Sequence, residues 1–330
     1  MSLKPRFFLA PTSYFLLLSI GVCWGFQYIL TKIALESFSI EMVTAVRIFL
    51  GFLVLSLGIF FSNPKKTWVV ALKNNPWKYI SLFLLVGFLE QTLPWNLVAW
   101  SEKQIPSSFT AILIGTVPLI ATFLEVFFSK HHQITTKRTL AVLIGLLGVV
   151  LLASSTFFGA KIVDPFSLSL PGGPICALLI AAISFSISVF LIKVQLLPHF
   201  SYLQTSHGIF AGALVTALPF LLFSSIRKGT SDFCYAPDSL FALLLLGFLS
   251  SGGIVYFFYM MLIAKRGPSF ASMANYVSLT VATLLGLVFR GEKLSVTILS
   301  GIFLIFLALW LQKNRSIHYH GDRSWSMISP

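Results

Sequence analysis

The sequence predicts an all-α polytopic membrane protein with ten transmembrane helices in two inverted five-helix repeats. The first observation behind this is composition: of 330 residues, 57% are hydrophobic and 10% are charged, whereas about a quarter of the residues in a soluble domain are charged. The second is a series of ten apolar segments, each long enough to cross a bilayer. The third is a weak internal repeat with a constant offset of 161 residues.

The apolar segments have the length of membrane-spanning helices, since about 20 apolar residues cross a ~30 Å hydrocarbon core. A window of about 19 residues places them at residues 14–33, 42–61, 79–100, 107–128, 138–157, 173–192, 202–224, 239–262, 268–289 and 294–312. Lys4 and Arg6 precede the first segment, as in a signal peptide, but the segment has no small-residue cleavage site and more spans follow. It is therefore predicted to be a retained helix.

Basic residues in the loops predict the orientation of the chain. With a cytoplasmic N-terminus, fifteen Lys and Arg residues fall in inside segments and seven in outside segments, as the positive-inside rule requires. Both termini are therefore expected in the cytoplasm, and the expected location is a cell membrane, with a bacterial inner membrane favoured. The net charge of +13 is spread over short loops, which is typical of membrane topology and not of nucleic-acid binding.

The internal repeat sets residues of the first half on residues of the second. The offset places Trp24 on Phe185, Gln27 on Ser188, Lys32 on Lys193 and Trp95 on Tyr256. Because each repeat contains an odd number of helices, the second enters the membrane inverted, which is a transporter architecture with its site near the midplane. The predicted domains are a cytoplasmic N-terminus (1–13), the first repeat (14–157), an outer loop (158–172), the second repeat (173–312) and a basic cytoplasmic tail (313–330).

The third apolar segment carries polar residues near its middle. Glu90 and Gln91 lie there, followed by Pro94 and Trp95. A carboxylate at that depth is costly and is therefore a functional candidate. Pro94 has no N–H for the carbonyl four residues earlier, so the sequence predicts a freed Glu90 carbonyl beside the carboxyl group and the indole. The alternative is a simple proline kink, with Glu90 hydrogen-bonded to neighbouring helices.

The eighth segment is interrupted at the position that corresponds to Glu90. The offset of 161 sets Glu90 on Ser251, within the run Ser250–Gly253. Paired interruptions in two halves point to a transport site, although small residues can also serve only close helix packing. The residues predicted to act as hinges or gates are Pro94, Pro118, Gly252 and Gly253.

Several short motifs, in order, resemble a known family. They include Trp24-Gly25-Phe26, Arg47-Ile48-Phe49, Val117-Pro118-Leu119, Asn275-Tyr276-Val277 and Gly291-Glu292-Lys293-Leu294-Ser295. Over about residues 14–312 the chain resembles the drug/metabolite transporter superfamily, in its ten-helix EamA-type branch. The resemblance implies a pocket lined by helices 1, 3, 4, 6, 8 and 9, and substrates that range from amino acids to nucleosides and drugs. The chain departs from the family pattern at Lys130-His131 and at Leu279.

The candidate substrate-binding residues combine these signals. They are Glu90, Gln91, Trp95, Trp24, Gln27, Ser251, Tyr256, Asn275 and Tyr276. With 15% aromatic residues in the chain, any single ring is more often packing than ligand contact. Arg47 lies about one turn inside its helix and is expected to snorkel to the interface. Glu125 is expected to pair with Lys130 or to be solvated.

The expected function is secondary transport of a small organic metabolite. The sequence contains no P-loop, HExxH or GxSxG motif, and its three cysteines form no CxxC pair, so no catalytic residue, cofactor or metal is predicted. Glu90 favours an amino-acid-like or nucleoside-like substrate that is cationic or zwitterionic, and S-adenosylmethionine is the leading guess because the wider family includes carriers for it. Glu90 either takes a coupling proton or stays ionised as a counter-charge.

Other functions and assemblies stay open from the sequence. The alternatives are an amino-acid or drug exporter, a channel, whose lining needs no motif, and an intramembrane enzyme. The expected partners are the substrate, the lipid bilayer and coupling protons, without nucleic acid, in a monomer or homodimer.

Overall fold

The structure, a computed structural model, describes residues 9–62, 75–105, 110, 113–128, 136–159, 172–228, 236–250, 253–290 and 296–311. These residues form helices and short connections, without strands, and the predicted all-α fold of ten helices is confirmed. The helices are α1 (Leu9–Ser37), α2 (Ile40–Ser62), α3 (Pro76–Glu102), α4 (Val117–Phe128), α5 (Thr136–Gly159), α6 (Gly172–Leu196), α7 (Tyr202–Lys228), α8 (Pro237–Arg266), α9 (Ala274–Arg290) and α10 (Val296–Leu311).

Six of the helices are long and apolar enough to cross a membrane: α1, α2, α3, α6, α7 and α8. Shorter apolar helices, Thr139–Leu151 and Leu299–Leu311, lie within α5 and α10. The outer surface of α2 shows how the bundle meets lipid. Phe49, Leu53 and Leu57 recur every four residues and are 48%, 41% and 60% exposed, so one apolar stripe of the helix faces outward.

The helix contacts reproduce the two repeats. Helix α1 packs against α8 and α9, and α6 packs against α3 and α4. Likewise α3 packs against α7, and α8 packs against α2, while α5 pairs with α10 and α2 with α7. Each contact maps onto another, or onto itself, when the two repeats are exchanged. This is the pattern of a pseudo-two-fold axis, and it agrees with two inverted five-helix repeats.

Helices α3 and α8 each contain a π-helical turn, at Phe88–Thr92 and Leu246–Ser250. In α3 the Leu93 N–H bonds to the Phe88 carbonyl, five residues earlier. In that register the carbonyl that Pro94 leaves without a backbone donor is that of Leu89, and Ser184 Oγ of α6 donates to it at 2.7 Å. The structure thus shows a side-chain donor at the Leu89 carbonyl, one residue before the Glu90 carbonyl that the sequence predicts to be freed. Turns of this kind are frequent at functional sites.

The fourth and ninth spans, predicted as continuous helices over 107–128 and 268–289, are both interrupted. Leu113 and Ile114 are helical, and Gly115 and Thr116 form a turn before α4 begins. In the ninth span a short helix, Pro268–Ser272, is separated from α9 by a turn at Met273. These turns lie beside the pocket described below.

The connection between α8 and the ninth span is a single residue, Gly267. Its φ of 89° lies in the region that favours glycine, and its N–H bonds to the Ile263 carbonyl at 2.9 Å. Pro268 then occupies the first turn of the next helix, where its missing N–H costs no hydrogen bond. This is why the predicted short turn can reverse the chain so tightly.

Two glycines allow α1 to lie directly against α9. A Cβ on Gly21 would come 3.0 Å from the Ala274 carbonyl oxygen, and one on Gly25 would come 3.0 Å from the Ser278 carbonyl oxygen. Small residues at such spacing permit close helix approach in membranes. The close contact brings Trp24, between the two glycines in the chain, to the wall of the pocket.

Candidate substrate-binding site

A pocket lies between the two repeats and takes residues from seven helical segments. The space between its atoms, including its opening to the outside, amounts to about 590 Å³. Its lining residues are Trp24, Gln27, Tyr28, Arg47, Glu90, Gln91, Trp95, Val98, Ile114, Val117, Phe185, Tyr256, Tyr259 and Asn275.

Glu90 is the acidic residue of the pocket lining. It lies in the π-helical turn of α3 and is 3% exposed. The Ser188 hydroxyl of α6 donates a hydrogen bond to its Oε2 atom. A carboxylate can accept about four hydrogen bonds, so one hydroxyl donor leaves acceptor capacity that faces the pocket.

Arg47 also lines the pocket, and the prediction that it snorkels to the interface is wrong. Its side chain is 3% exposed. Its Nη2 atom donates to Gln91 Oε1 at 3.2 Å, and its Cζ atom lies 3.6 Å from the centroid of the Trp95 ring. The Nε–H is buried and has no hydrogen-bond partner among the described residues. The pocket therefore contains a basic group beside the acidic one.

The helical face of α2 explains this position. Thr44, Arg47, Gly51 and Leu55 are buried and recur every three or four residues, so they share one face of the helix. Phe49 is two residues from Arg47, on the exposed face. The spacing of Arg47 relative to the small and apolar residues of α2 is the sequence signal for its inward direction.

Aromatic rings form the walls around the two charged groups. The ring centroids of Trp24 and Tyr259 are 4.9 Å apart, and those of Trp95 and Phe185 are 5.6 Å apart, both in edge-to-face geometry. The Tyr256 hydroxyl is buried, makes no hydrogen bond of standard geometry with any described residue, and is close enough to Glu90 to interact electrostatically. Such walls suit a flat or cationic ligand.

The structure brings most of the predicted binding residues together. Those that line the pocket are Glu90, Gln91, Trp95, Trp24, Gln27, Tyr256 and Asn275. Tyr276 does not line it. Its hydroxyl donates to the Val142 carbonyl of α5 at 3.0 Å, and its ring covers Gly145, so it packs α9 against α5. Ser251 lies outside the described residues.

The predicted hinge residues have different surroundings. Pro94 is buried directly after the π-helical turn of α3, and the Pro118 carbonyl accepts a hydrogen bond from Thr122 Oγ1 at 2.7 Å. A Cβ on Gly253 would come 3.1 Å from the Gly51 carbonyl oxygen, so Gly253 permits close packing of α8 on α2. Gly252 lies outside the described residues.

Sequence reasoning missed several pocket residues. They are Tyr28, Arg47, Val98, Ile114, Val117, Phe185 and Tyr259, together with Ser188, which bonds to Glu90. Phe185 and Ser188 could have been found, because the 161-residue offset sets them on the candidates Trp24 and Gln27. Arg47 adds α2 to the six helices that the resemblance implied.

A polar cluster ties the helices together at one end of the bundle. We call it the latch, and it consists of Thr122, Glu125, Lys193, Ala264 and Ser269. Lys193 Nζ donates to the Ala264 carbonyl at 2.6 Å, and the hydroxyls of Thr122 and Ser269 are 2.5 Å apart. The Ser269 N–H donates to Glu125 Oε2 at 3.4 Å. The latch therefore links α4, α6, α8 and the segment before α9.

Glu125 is in the latch and not in solvent. It is 4% exposed, and it is close enough to Lys193 to interact electrostatically. The expectation that Glu125 is solvated is therefore wrong. Lys130, its expected partner, lies outside the described residues.

The opposite end of the bundle carries a second lysine and glutamate, which we call the mouth pair. Glu102 of α3 is 8% exposed, and both of its carboxylate oxygens lack a hydrogen-bond partner. Lys32 of α1 is close enough to interact with it electrostatically. Lys32 and Glu102 lie one helical turn beyond Tyr28 and Val98, which line the pocket. Lys32 corresponds to Lys193 of the latch in the repeat.

In the part of the chain that the structure describes, no three His, Cys, Asp or Glu side chains converge as metal ligands.

The fold is similar to that of a solved crystal structure. The alignment covers 92% of this chain and 98% of the solved chain, with a TM-score of 0.69 at 16% sequence identity. At that identity the likeness shows a shared fold.

Sequence comparisons agree with the architecture. The uncharacterized transporter YoaV of Bacillus subtilis (strain 168) is 22% identical over 295 residues, which is 89% of this chain and 94% of YoaV. The uncharacterized inner membrane transporter YedA of Escherichia coli (strain K12) is 28% identical over 287 residues, 84% of this chain and 83% of YedA. The model of the EamA-like transporter family matches residues 11–154 and 173–312, one segment in each repeat. The chain therefore belongs to the EamA-like transporter family and is a multi-pass membrane transporter.

Proposed function

We propose that the protein is a secondary transporter for a small organic metabolite that carries a positive centre. The observation that carries the proposal is Glu90, a carboxylate buried among aromatic rings in the pocket, with the Ser188 hydroxyl as a donor and the Tyr256 hydroxyl close by. An acid in that position is retained at a cost in free energy, and a cationic ligand offsets this cost. With no nucleotide-binding motif in the sequence, the carrier runs on an ion or substrate gradient, or by exchange.

The substrate class follows from the walls of the pocket. Trp24 and Tyr256 offer stacking and cation–π contacts, each worth roughly 0.5–2 kcal/mol, while one face of the third ring, Trp95, is occupied by Arg47. They favour an amino-acid-like or nucleoside-like compound that is cationic or zwitterionic. S-adenosylmethionine, with an ammonium, a sulfonium and a stackable adenine, is the leading specific proposal. Aromatic and other amino acids come next, including amino-acid or drug export.

The two ends of the bundle support an alternating-access cycle. In the state described, the latch holds α4, α6, α8 and the segment before α9 together at one end. At the other end, the Glu102 carboxylate of the mouth pair has no hydrogen-bond partner in the part of the chain that the structure describes. We assign the latch to the cytoplasmic side and the mouth pair to the outer side, because the loop charges predict that both termini are cytoplasmic. A reporter fused after Leu311 is expected to be cytoplasmic, and an outer location would reverse this assignment.

The test of the proposal is Glu90→Gln in proteoliposomes, with labelled S-adenosylmethionine and amino acids. If Glu90 is the counter-charge, uphill uptake and counterflow of cationic compounds both fail, while neutral analogues are spared. If Glu90 carries a coupling proton, uphill accumulation is lost and counterflow persists. Parent-like transport of every compound from pH 5 to 8 would mean that Glu90 is structural and the proposal wrong.

A matched control and a kinetic check complete this test. Glu36 lies on the exposed surface near the end of α1, so Glu36→Gln removes the same charge away from the pocket and is expected to transport as the parent does. A carrier also saturates, and its exchange accelerates when substrate is loaded on the opposite side. Flux that stays linear with concentration would instead favour a channel.

A further inference from the structure

We propose that Arg47 binds a carboxylate of the transported metabolite, so that the substrate is a zwitterion with its ammonium at Glu90 and its carboxylate at Arg47. This inference rests on the proposed function, since it takes the positive centre at Glu90 as given. It goes further because it assigns an anion-binding role to a residue of α2 and narrows the substrate class from cations and zwitterions to zwitterions.

The guanidinium of Arg47 is held in place, but part of its capacity to donate hydrogen bonds remains free. Its face stacks on Trp95, with Cζ 3.6 Å from the ring centroid, and one in-plane donor, Nη2, bonds to Gln91 at 3.2 Å. A guanidinium has five N–H donors in one plane, and stacking occupies its face and leaves the in-plane edges free. The Nε–H is buried and has no partner within the described ranges. This is the donor that, with a neighbouring Nη, forms a two-pronged contact with a carboxylate.

The Glu90 carboxylate is not the group that accepts this two-pronged contact from Arg47. The hydrogen bond to Glu90 comes from Ser188, and the hydrogen bond from Arg47 goes to Gln91. The two charged groups are close enough to interact electrostatically, yet each is held by a neutral partner, and both line one pocket. A pocket with fixed opposite charges and unused bonding capacity at both is complementary to a ligand with opposite charges.

A second buried donor supports the carboxylate site. The Tyr256 hydroxyl lines the same pocket, makes no hydrogen bond of standard geometry within the described residues, and lies close to Glu90, Gln91 and Arg47. A buried donor without a partner costs free energy, which a bound acceptor recovers. A carboxylate has two oxygens, so it can accept from Arg47 and from Tyr256 together.

The competing interpretation makes Arg47 a counter-ion that only offsets the charge of Glu90. In that case a substrate carboxylate would gain nothing from Arg47, and an amine without a carboxylate would bind as well as the zwitterion. The two interpretations therefore differ in a quantity that can be measured on the parent protein alone.

The experiment measures binding to the purified full chain by quenching of tryptophan fluorescence. The probes are S-adenosylmethionine and its decarboxylated amine, and phenylalanine with phenethylamine and 3-phenylpropionate. We expect at least one zwitterion to bind about 10- to 100-fold more tightly than its amine, the range for a charge-assisted hydrogen bond. Arg47→Gln should remove that difference and leave amine binding unchanged or stronger. Arg47→Lys, which keeps the charge but loses the planar fork, should restore only part of it.

The control for this experiment is Lys103→Gln. Lys103 is exposed beyond the end of α3, so Lys103→Gln should keep the full difference between zwitterion and amine. The proposal is overturned if the parent binds each amine as tightly as its zwitterion, if neither zwitterion binds, or if Arg47→Gln keeps the difference. If Arg47→Gln does not fold, the proposal is still tested by comparing zwitterion and amine binding in the parent protein and in Arg47→Lys.

Failure of the proposed function has a separate signature. If 3-phenylpropionate, which lacks the ammonium, binds as tightly as phenylalanine, then the positive centre at Glu90 is wrong. The comparison of phenylalanine with phenethylamine would still report on Arg47.

Discussion

The two ends of the bundle carry lysines at corresponding positions of the repeats, but their bonding differs. At the latch, Lys193 donates to the Ala264 carbonyl at 2.6 Å and lies near the buried Glu125. At the mouth pair, Lys32 lies near Glu102, and both oxygens of Glu102 lack hydrogen-bond partners among the described residues. The two repeats have a symmetric arrangement of helices, but the state described is asymmetric. The polar groups of the latch are hydrogen-bonded, whereas the carboxylate of the mouth pair is not.

The largest expected effect comes from removing the two lysines in turn. Lys193→Met should destabilise the fold by about 1.5–3 kcal/mol, because it deletes a hydrogen bond from a charged group and leaves Glu125 buried. Lys32→Met should cost at most about 1 kcal/mol, as expected for an ion pair without direct contact. Thermal unfolding in detergent measures both. Equal losses would show that the two ends are energetically alike, which contradicts the comparison.

Neutralising the two glutamates should give effects of opposite sign. Glu125→Gln weakens an electrostatic contact with Lys193 and should lower stability by about 1 kcal/mol. Glu102→Gln removes a buried carboxylate that has no hydrogen-bond donor, so it should raise stability by up to about 1 kcal/mol. The same unfolding assay is used. If Glu102→Gln is also destabilising, the Glu102 carboxylate has a partner of real strength.

The smallest expected effect is a shift in how often the latch opens. Thr122→Ala removes the hydroxyl contact to Ser269, worth about 0.5–1.5 kcal/mol, which is about 2- to 10-fold in an equilibrium. The readout is the rate at which a thiol reagent labels Ser272→Cys, a buried position beside the latch, in an otherwise cysteine-free chain. Labelling should be slow in the parent latch and faster with Thr122→Ala. An unchanged rate would mean that this hydroxyl pair does not hold the latch closed.

The sequence was sufficient for features that depend on depth along a helix. Glu90 was identified because a charge stands out in a long apolar segment, and the repeat offset carried Trp95 to Tyr256. The direction of a side chain around its helix was harder to predict. Arg47 was placed near the interface by its depth, whereas its helical face directs it inward, where Trp95 and Gln91 hold it.

Long-range partners explain the remaining differences. Glu125 was expected to be solvated or to pair with Lys130, but it is buried against Lys193 and Ser269 from the other repeat, while Lys130 lies outside the described residues. Tyr276 has the residue type of a ligand contact, but its hydroxyl bonds to the Val142 carbonyl of α5. Neither contact has a local sequence signal, because each arises only when the two repeats pack together.

The π-helical turn in α3 makes the site sensitive to the length of the chain. Such a turn holds one more residue than an α-helical turn, so it accommodates an extra residue while the helix before and after it keeps its direction. Deleting Leu89, which lies within the turn Phe88–Thr92 and is not among the residues that line the pocket, would leave composition and hydropathy nearly unchanged. It would let the turn close as an ordinary α-helical turn and shift Glu90 and Gln91 around the helix axis, while Leu93–Glu102 keeps its orientation relative to Pro76–Gly87. A one-codon deletion in α3 is therefore expected to displace Glu90 from Ser188 and Gln91 from Arg47 without removing any pocket side chain.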